Sequence, residues 1–212
     1  MISRPPSTPP LTPSTPVTHP DRGHIRGTAV VGGFEWFIKR FGNAAAHEVV
    51  NRVSPRTRAF LQPNAPVMGL LGTRIYPYAA IGEVGRTMLA VSHMSEDAFL
   101  REMAAAAMEA SFTTIHRIAV RYLTSLQSLA AKAPEMWDLF HDCGHLSVLS
   151  CTDHEYVTQV SDWPSHDVMI CRLTMEARRQ LVVRTGIRNP ELFRDKCQAW
   201  GHDVCTSRIR WT

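Results

Sequence analysis

The stretch HLSVLSCTDHEYVTQVSDW, residues 145–163, decides the fold class. Its two halves, HLSVLSC and EYVTQVSDW, alternate apolar and polar residues with the period of two that a strand requires. The polar group Thr152-Asp153-His154 between them reads as a turn. Together they predict an antiparallel hairpin, and the period on either side of it is different.

Upstream the spacing is helical. Val30, Val31, Phe34, Phe37, Ile38 and Phe41 recur along one face until Gly42 supplies a stop. A second short helix is predicted through NAAAHEVVNRV, with Asn43 as its cap, and a third begins at Ser54-Pro55. Residues 62–78 read as a loop entering a helix at about Tyr78 to Val91. Ser95 and Glu96 then open a long helix to about Tyr122, with an apolar stripe from Leu100 through Met103, Ala107 and Met108 to Phe112 and a kink near Ser111. Thr124 is the expected cap of a further helix to Leu139, interrupted by Pro134.

Downstream, Asp167 to Thr185 is helical and Gly186 ends it. ELFRDKCQAW and VCTSRIRW read as two more strands joined by Gly201-His202-Asp203. The order is helices first, then two strands, one helix and two strands. This predicts an α+β fold, a helical layer packed on an antiparallel sheet of about four strands.

Residues 1–22 differ from the rest. Seven of the 14 prolines lie in the first 20 positions, interleaved with Ser and Thr. Such a segment lacks helix donors and has almost nothing to bury, so a disordered N-terminal tail is expected, followed by one domain over residues 23–212. At 44% hydrophobic residues the chain can build a core. Its apolar runs are far short of the roughly 20 residues that cross a bilayer, so membrane insertion is not expected. The start MISRPPSTPP has no export signal, which points to the cytoplasm. The net charge of +4 is spread along the chain rather than gathered in a stripe, and gives no support to nucleic-acid binding.

Phosphate loops, zincin helices and nucleophile elbows are missing from the sequence, and Gly82-Glu-Val-Gly85 reads as close helix packing. Nothing in it demands catalysis. Five cysteines without an export signal point to thiols or a metal rather than disulfides. His141, Cys143, His145, Cys151, Asp153 and His154 form the densest cluster of zinc-type donors, although a tight turn before a strand would also be polar. The second set is Cys171 on the late helix with Cys197 and Cys205 on the last two strands. Strand pairing and a crossing helix bring these three together. A fourth ligand would then come from Asp195, His202 or Asp203, while small apolar packing is the alternative for all three thiols.

From Arg26 onward the chain resembles a poorly characterised family abundant in myxobacteria, related to the 4-vinyl-reductase-type ligand-binding domains of bacterial hydrocarbon sensors. The matching segments are RGTAVVGGFEWFIKRFG, RIYPYAAIGEV, AAAAMEASFTTIHRIAVRYL, APEMWDLFHDCGHLSV and CQAWGHDVCTSRIRW. The resemblance implies the fold shared by nitric-oxide signalling domains and TRAPP trafficking subunits, with an apolar pocket and frequent dimers. It implies a structural zinc on three cysteines and a glutamate. Cys171, Cys197 and Cys205 match the cysteines, but Arg194 stands where the glutamate would be. A guanidinium cannot ligate zinc, so a weakened or absent site is expected. The Tyr-x-Ser-x-Arg motif of the haem branch is not in the sequence.

Phe34, Phe37, Met108, Phe112, His116 and Met169 are the candidate pocket residues, with solid core as the alternative for each. The expected function is a non-enzymatic sensory or adaptor domain in signalling, binding a small apolar ligand or a protein partner, and forming a homodimer. The alternative is a structural subunit that uses the fold as a platform for protein–protein interaction.

Overall fold

The computed structural model describes residues 22–113 and 125–212. Helix α1 (Val31–Arg52) is two helical runs broken at Gly42, whose φ of 84° is open to glycine and costly for other residues, so the expected stop is real. Helix α2 (Pro55–Arg58) is one turn, capped by Ser54 Oγ accepting from Thr57 N at 3.3 Å. The Ser54 and Thr57 hydroxyls both donate to the Glu83 carboxylate and tie this turn to helix α3 (Tyr78–Ser92). Helix α4 (Glu96–Thr113) packs along α1.

Two three-residue strands went unforeseen. Strand β1 (His24–Arg26) pairs antiparallel with β2 (Ile75–Pro77), Ile25 opposite Tyr76; the sequence reading gives the first segment no element and the second a loop. Three residues are too short to display a period.

Helix α5 (Leu126–Phe140) starts one residue later than expected. Its cap is Ser125, in a reciprocal box with Ser128, and Pro134 is carried inside it. The hairpin forms as strands β3 (His145–Cys151) and β4 (Glu155–Ser161). Helix α6 (Val168–Arg184) follows, then β5 (Glu191–Lys196) and β6 (Cys205–Arg210). The four strands lie in the order β3-β4-β6-β5, every pair antiparallel, which is the α+β arrangement read from the sequence. Two helices serve this sheet: α5 runs along β3, while α6 touches β5 and β6 and packs chiefly against α4.

The start of α6 is fixed tightly. Asp167 is 3% exposed, accepts from the Met169 and Ile170 backbone N–H groups at 2.9 and 3.2 Å, and pairs with Arg86 of α3 at 2.6 Å. A Cβ on Gly82 would lie 2.4 Å from that carboxylate, so glycine is required for the approach. The Gly82/Gly85 pair is therefore a packing device, as expected, and Met169 fills the space over Gly85.

Candidate metal centre and ligand cavity

Fixing the first turn of α6 also fixes two donors, His166 just before the cap and Cys171 within the first turns. Across from them β5 ends at Lys196. The chain turns through residues 198–200 and Gly201, in the left-handed region at φ 85°, and returns as β6 at Cys205. Cys197 thus sits beyond the ladder rather than on it, because the expected strand CQAW is a turn. That turn aims both thiols at α6. The Cys205 and Cys197 Sγ atoms are 4.0 Å apart, and His166 Nε2 is 3.6 Å from Cys197 Sγ. With Cys171 Sγ, the four buried donor atoms all lie within 4.8 Å of one another.

A tetrahedral zinc with bonds of about 2.3 Å to sulfur and 2.0–2.1 Å to nitrogen spaces its ligand atoms by about 3.5–3.8 Å. The cluster has that scale and a Cys3His donor set, so its residues fit zinc. Hydrogen bonds from the Cys171 and Cys205 thiols drive the Cys197 thiol far below its ordinary range, with His166 and Arg194 adding to the effect. The same sulfurs push Cys171 upward. Burial alone would lower His166, but Cys197 and Cys205 raise it to about 9. Gln198 N donates to Cys205 Sγ at 3.4 Å, a backbone contact that supports a thiolate. Arg194 Nη1 is 3.6 Å from Cys197 Sγ, and its guanidinium lies over Trp200 at 5.3 Å. With zinc bound, three thiolates, an imidazole that has given up its proton to the metal's demand and Zn²⁺ would sum to −1, which Arg194 would offset. It neighbours the centre as a counter-charge rather than replacing a ligand.

The expected fourth ligands are elsewhere. Asp195 accepts from Arg208 at 2.7 Å, His202 Nδ1 is turned to the Cys197 carbonyl at 3.1 Å, and Asp203 is exposed. His166 escaped the sequence reading because it precedes the helix cap in a turn, where a polar residue is unremarkable. Its signal is the short spacing to Cys171. The other expected cluster does not converge: Tyr78 O–H points to His141 Nδ1, Cys143 Sγ sits 3.7 Å from Ser165 Oγ, and Cys151 Sγ faces the Leu126 carbonyl at 3.9 Å.

A cavity of about 120 Å³ lies between α4, α5, α6 and the sheet. Its wall is largely apolar, including Met103, Met108, Leu129, Leu146, Ile170 and Leu181, with small residues Ala104, Ala107, Ala133 and Ala177 leaving the room. Trp137 and His141 close one side, stacked at 3.8 Å. Burial, aided by the Arg178 charge, holds the His141 imidazole down at about 3, so it is neutral and free to accept from Tyr78.

Of the expected pocket residues, Met108 lines this cavity. Phe34 and Phe37 are fully buried in the core and Met169 sits against Gly85; none of the three is among the lining residues. A helical stripe shows which residues are buried, not which of them face the void. His116 and the Phe112 side chain lie outside the described residues.

An aromatic series joins the two sites. Trp137 meets Trp163 edge-on at 5.2 Å, and Trp163 meets His166 at 5.3 Å.

No protein-family model and no curated protein matches the chain. Solved structures do. An H-NOX protein from S. oneidensis in the Fe(II)NO ligation state is similar over 89% of this chain and 99% of its own, at 11% identity and a TM-score of 0.66. The Fe(II) unliganded H-NOX protein from K. algicida is similar over 89% and 97%, at 11% identity and 0.65. An oxygen binding H-NOX domain related to soluble guanylate cyclases is similar over 89% and 95%, at 10% identity and 0.59. At such identities the likeness is one of fold, and the chain has the α+β fold of the H-NOX domains.

Proposed function

We propose that this protein is a non-enzymatic sensory or adaptor domain that binds a small ligand in the cavity between α4, α5, α6 and the sheet. The observation that carries this is the cavity itself, a largely apolar, partly open recess in a fold whose similar solved structures include an NO-ligated and an oxygen-binding domain. A structural zinc on His166, Cys171, Cys197 and Cys205 pins the start of α6 to the β5–β6 turn, beside the ligand. The zinc supplies a cross-link and no chemistry.

Haem is not carried over. A void of roughly 150 Å³ holds one benzene, and this partly open cavity is of that scale, far below what a tetrapyrrole needs. A tetrapyrrole does not fit it.

The test is native mass spectrometry of the protein purified from its own source. A co-purifying small molecule supports sensing, and a stoichiometric protein partner in its place overturns it. The second reading, a platform in a larger assembly, draws on exposed Phe60, Leu71 and Ile75 gathered around Tyr76. The same surface would serve a homodimer, which light scattering at micromolar concentration checks: a 24 kDa species counts against it. We place the domain at residues 23–212 in the cytoplasm. Deleting residues 1–22 is expected to leave the melting temperature nearly unchanged.

A further inference from the structure

We infer that the cavity selects a small monocarboxylate with an apolar body, its carboxylate held by Arg178 and Tyr156. This rests on the reading of the cavity as a ligand site and names the ligand's class.

The polar groups on the wall divide into two kinds. Ser111 Oγ already donates to the Ala107 and Thr28 carbonyls at 2.8 and 3.0 Å, Thr174 Oγ1 to the Cys171 carbonyl at 2.8 Å, and Trp137 Nε1 to the Gly144 carbonyl at 3.0 Å. His141 Nδ1 is engaged by Tyr78. Two are left over. Tyr156, on the central strand β4, is 1% exposed, yet its hydroxyl has no hydrogen-bond partner among the described residues. Arg178, on α6, reaches Ser207 Oγ at 3.4 Å through Nη2, while its buried Nε has no partner among the described residues. Leaving buried polar groups without partners is costly, the more so for a charged one, so their persistence on a cavity wall marks a place for a partner.

The chemistry of that partner follows. Arg178 carries donors only, and the Tyr156 hydroxyl, pushed up to about 12 by burial, keeps its proton. Both face an acceptor. The guanidinium has no carboxylate counter-ion among the described residues: the neighbours acting on it are the Cys171 and Cys205 sulfurs and the Tyr156 hydroxyl. In a metal centre those sulfurs are engaged by the metal. A planar carboxylate matches the Arg fork and still offers an oxygen to the tyrosine. The remaining walls are apolar and the room, about 120 Å³, suits a single ring or a short chain.

Benzoate and its uncharged isostere nitrobenzene are the probes, titrated calorimetrically at pH 7 into the full chain. Benzoate is expected to bind one per chain and at least about tenfold tighter than nitrobenzene. Arg178→Met should abolish that preference and Tyr156→Phe reduce it severalfold, with Arg178→Lys retaining part of it. If Arg178→Met does not fold, the Tyr156→Phe and Arg178→Lys variants decide. Equal or tighter binding of nitrobenzene overturns the carboxylate while leaving an apolar ligand site standing. A preference that survives in the variants overturns the two named residues. Absence of binding by either probe overturns the carboxylate and the cavity reading together.

Discussion

The candidate metal centre and the cavity sit on one helix and treat their polar atoms in opposite ways. Cys171 opens α6 and Arg178 lies two turns further on. At the first position four donors turn toward each other and every neighbour adds support: Gln198 N–H to Cys205, Arg194 to Cys197, Asp167 capping the turn beneath. At the second, an arginine and a tyrosine face an apolar void. A closed donor set stabilises the fold, whereas an unfinished one awaits something from outside. On the proposed reading, one end of α6 serves stability and the stretch beyond it recognition.

The largest effect should come from breaking the closed set. His166→Ala and Cys205→Ala each remove one zinc ligand, and metal affinity in such a site is folding free energy. Elemental analysis should give one zinc per chain for the parent and none for either variant, with loss of the cooperative melt. A chelator should do the same to the parent. If Cys205→Ala melts within a few degrees of the parent and no zinc is found, the thiols are small core residues and the contrast collapses.

Next in size is a pH effect on the cavity side. His141 titrates at about 3 in the folded chain against an ordinary 6.5. Its folded value is depressed, so the unfolded chain binds the proton first. The stabilisation is therefore complete above pH 6.5 and declines as pH falls toward 3, at up to about 1.4 kcal/mol per pH unit from this group. Urea melts at pH 7, 6 and 5 should show that decline, and His141→Gln should flatten it. An equal slope in the variant would mean that other groups carry it.

Much of this arrangement is legible in the sequence. The period of two over residues 145–163, the helix start at Ser54-Pro55 and the stop at Gly42 are local signals, and local signals survive folding. Cys171, Cys197 and Cys205 can be grouped because strand pairing and one crossing helix have few solutions. His166 is harder to group: its short spacing to Cys171 is a faint signal, and its approach depends on Asp167 being drawn against Gly82, a contact between residues 85 positions apart. The cavity was illegible for another reason. Large apolar residues advertise burial, but the void exists where Ala104, Ala107, Ala133 and Ala177 converge, and an alanine on a helix announces neither a neighbour nor a gap.

Those alanines give a third and smaller test. Ala177→Leu adds volume inside the cavity, where overpacking costs about 1–3 kcal/mol in a solid core and less where there is room. The melting temperature should move by only a few degrees and zinc should remain at one per chain, while benzoate binding is lost. A variant that binds as before would show that the ligand site lies elsewhere. Loss of zinc along with the ligand would show that the two ends of α6 are coupled, through Trp137, Trp163 and His166.

The smallest expected effect isolates the fourth ligand. Asp195 adjoins the cysteines in sequence and carries a zinc-type donor, yet in space it accepts from Arg208 Nε and Nη2 at 2.9 and 2.7 Å. Both side chains are about a third exposed, and an ion pair of that kind contributes about 0–1 kcal/mol. Asp195→Asn should therefore shift the melting temperature by a degree or two at most and leave the zinc content unchanged, as should Asp203→Asn. His166→Ala removes the metal in the same assay. A carboxylate variant that loses zinc while His166→Ala retains it would reverse the assignment of the fourth ligand, and with it the reason that Arg194 can stand beside the centre as a counter-charge.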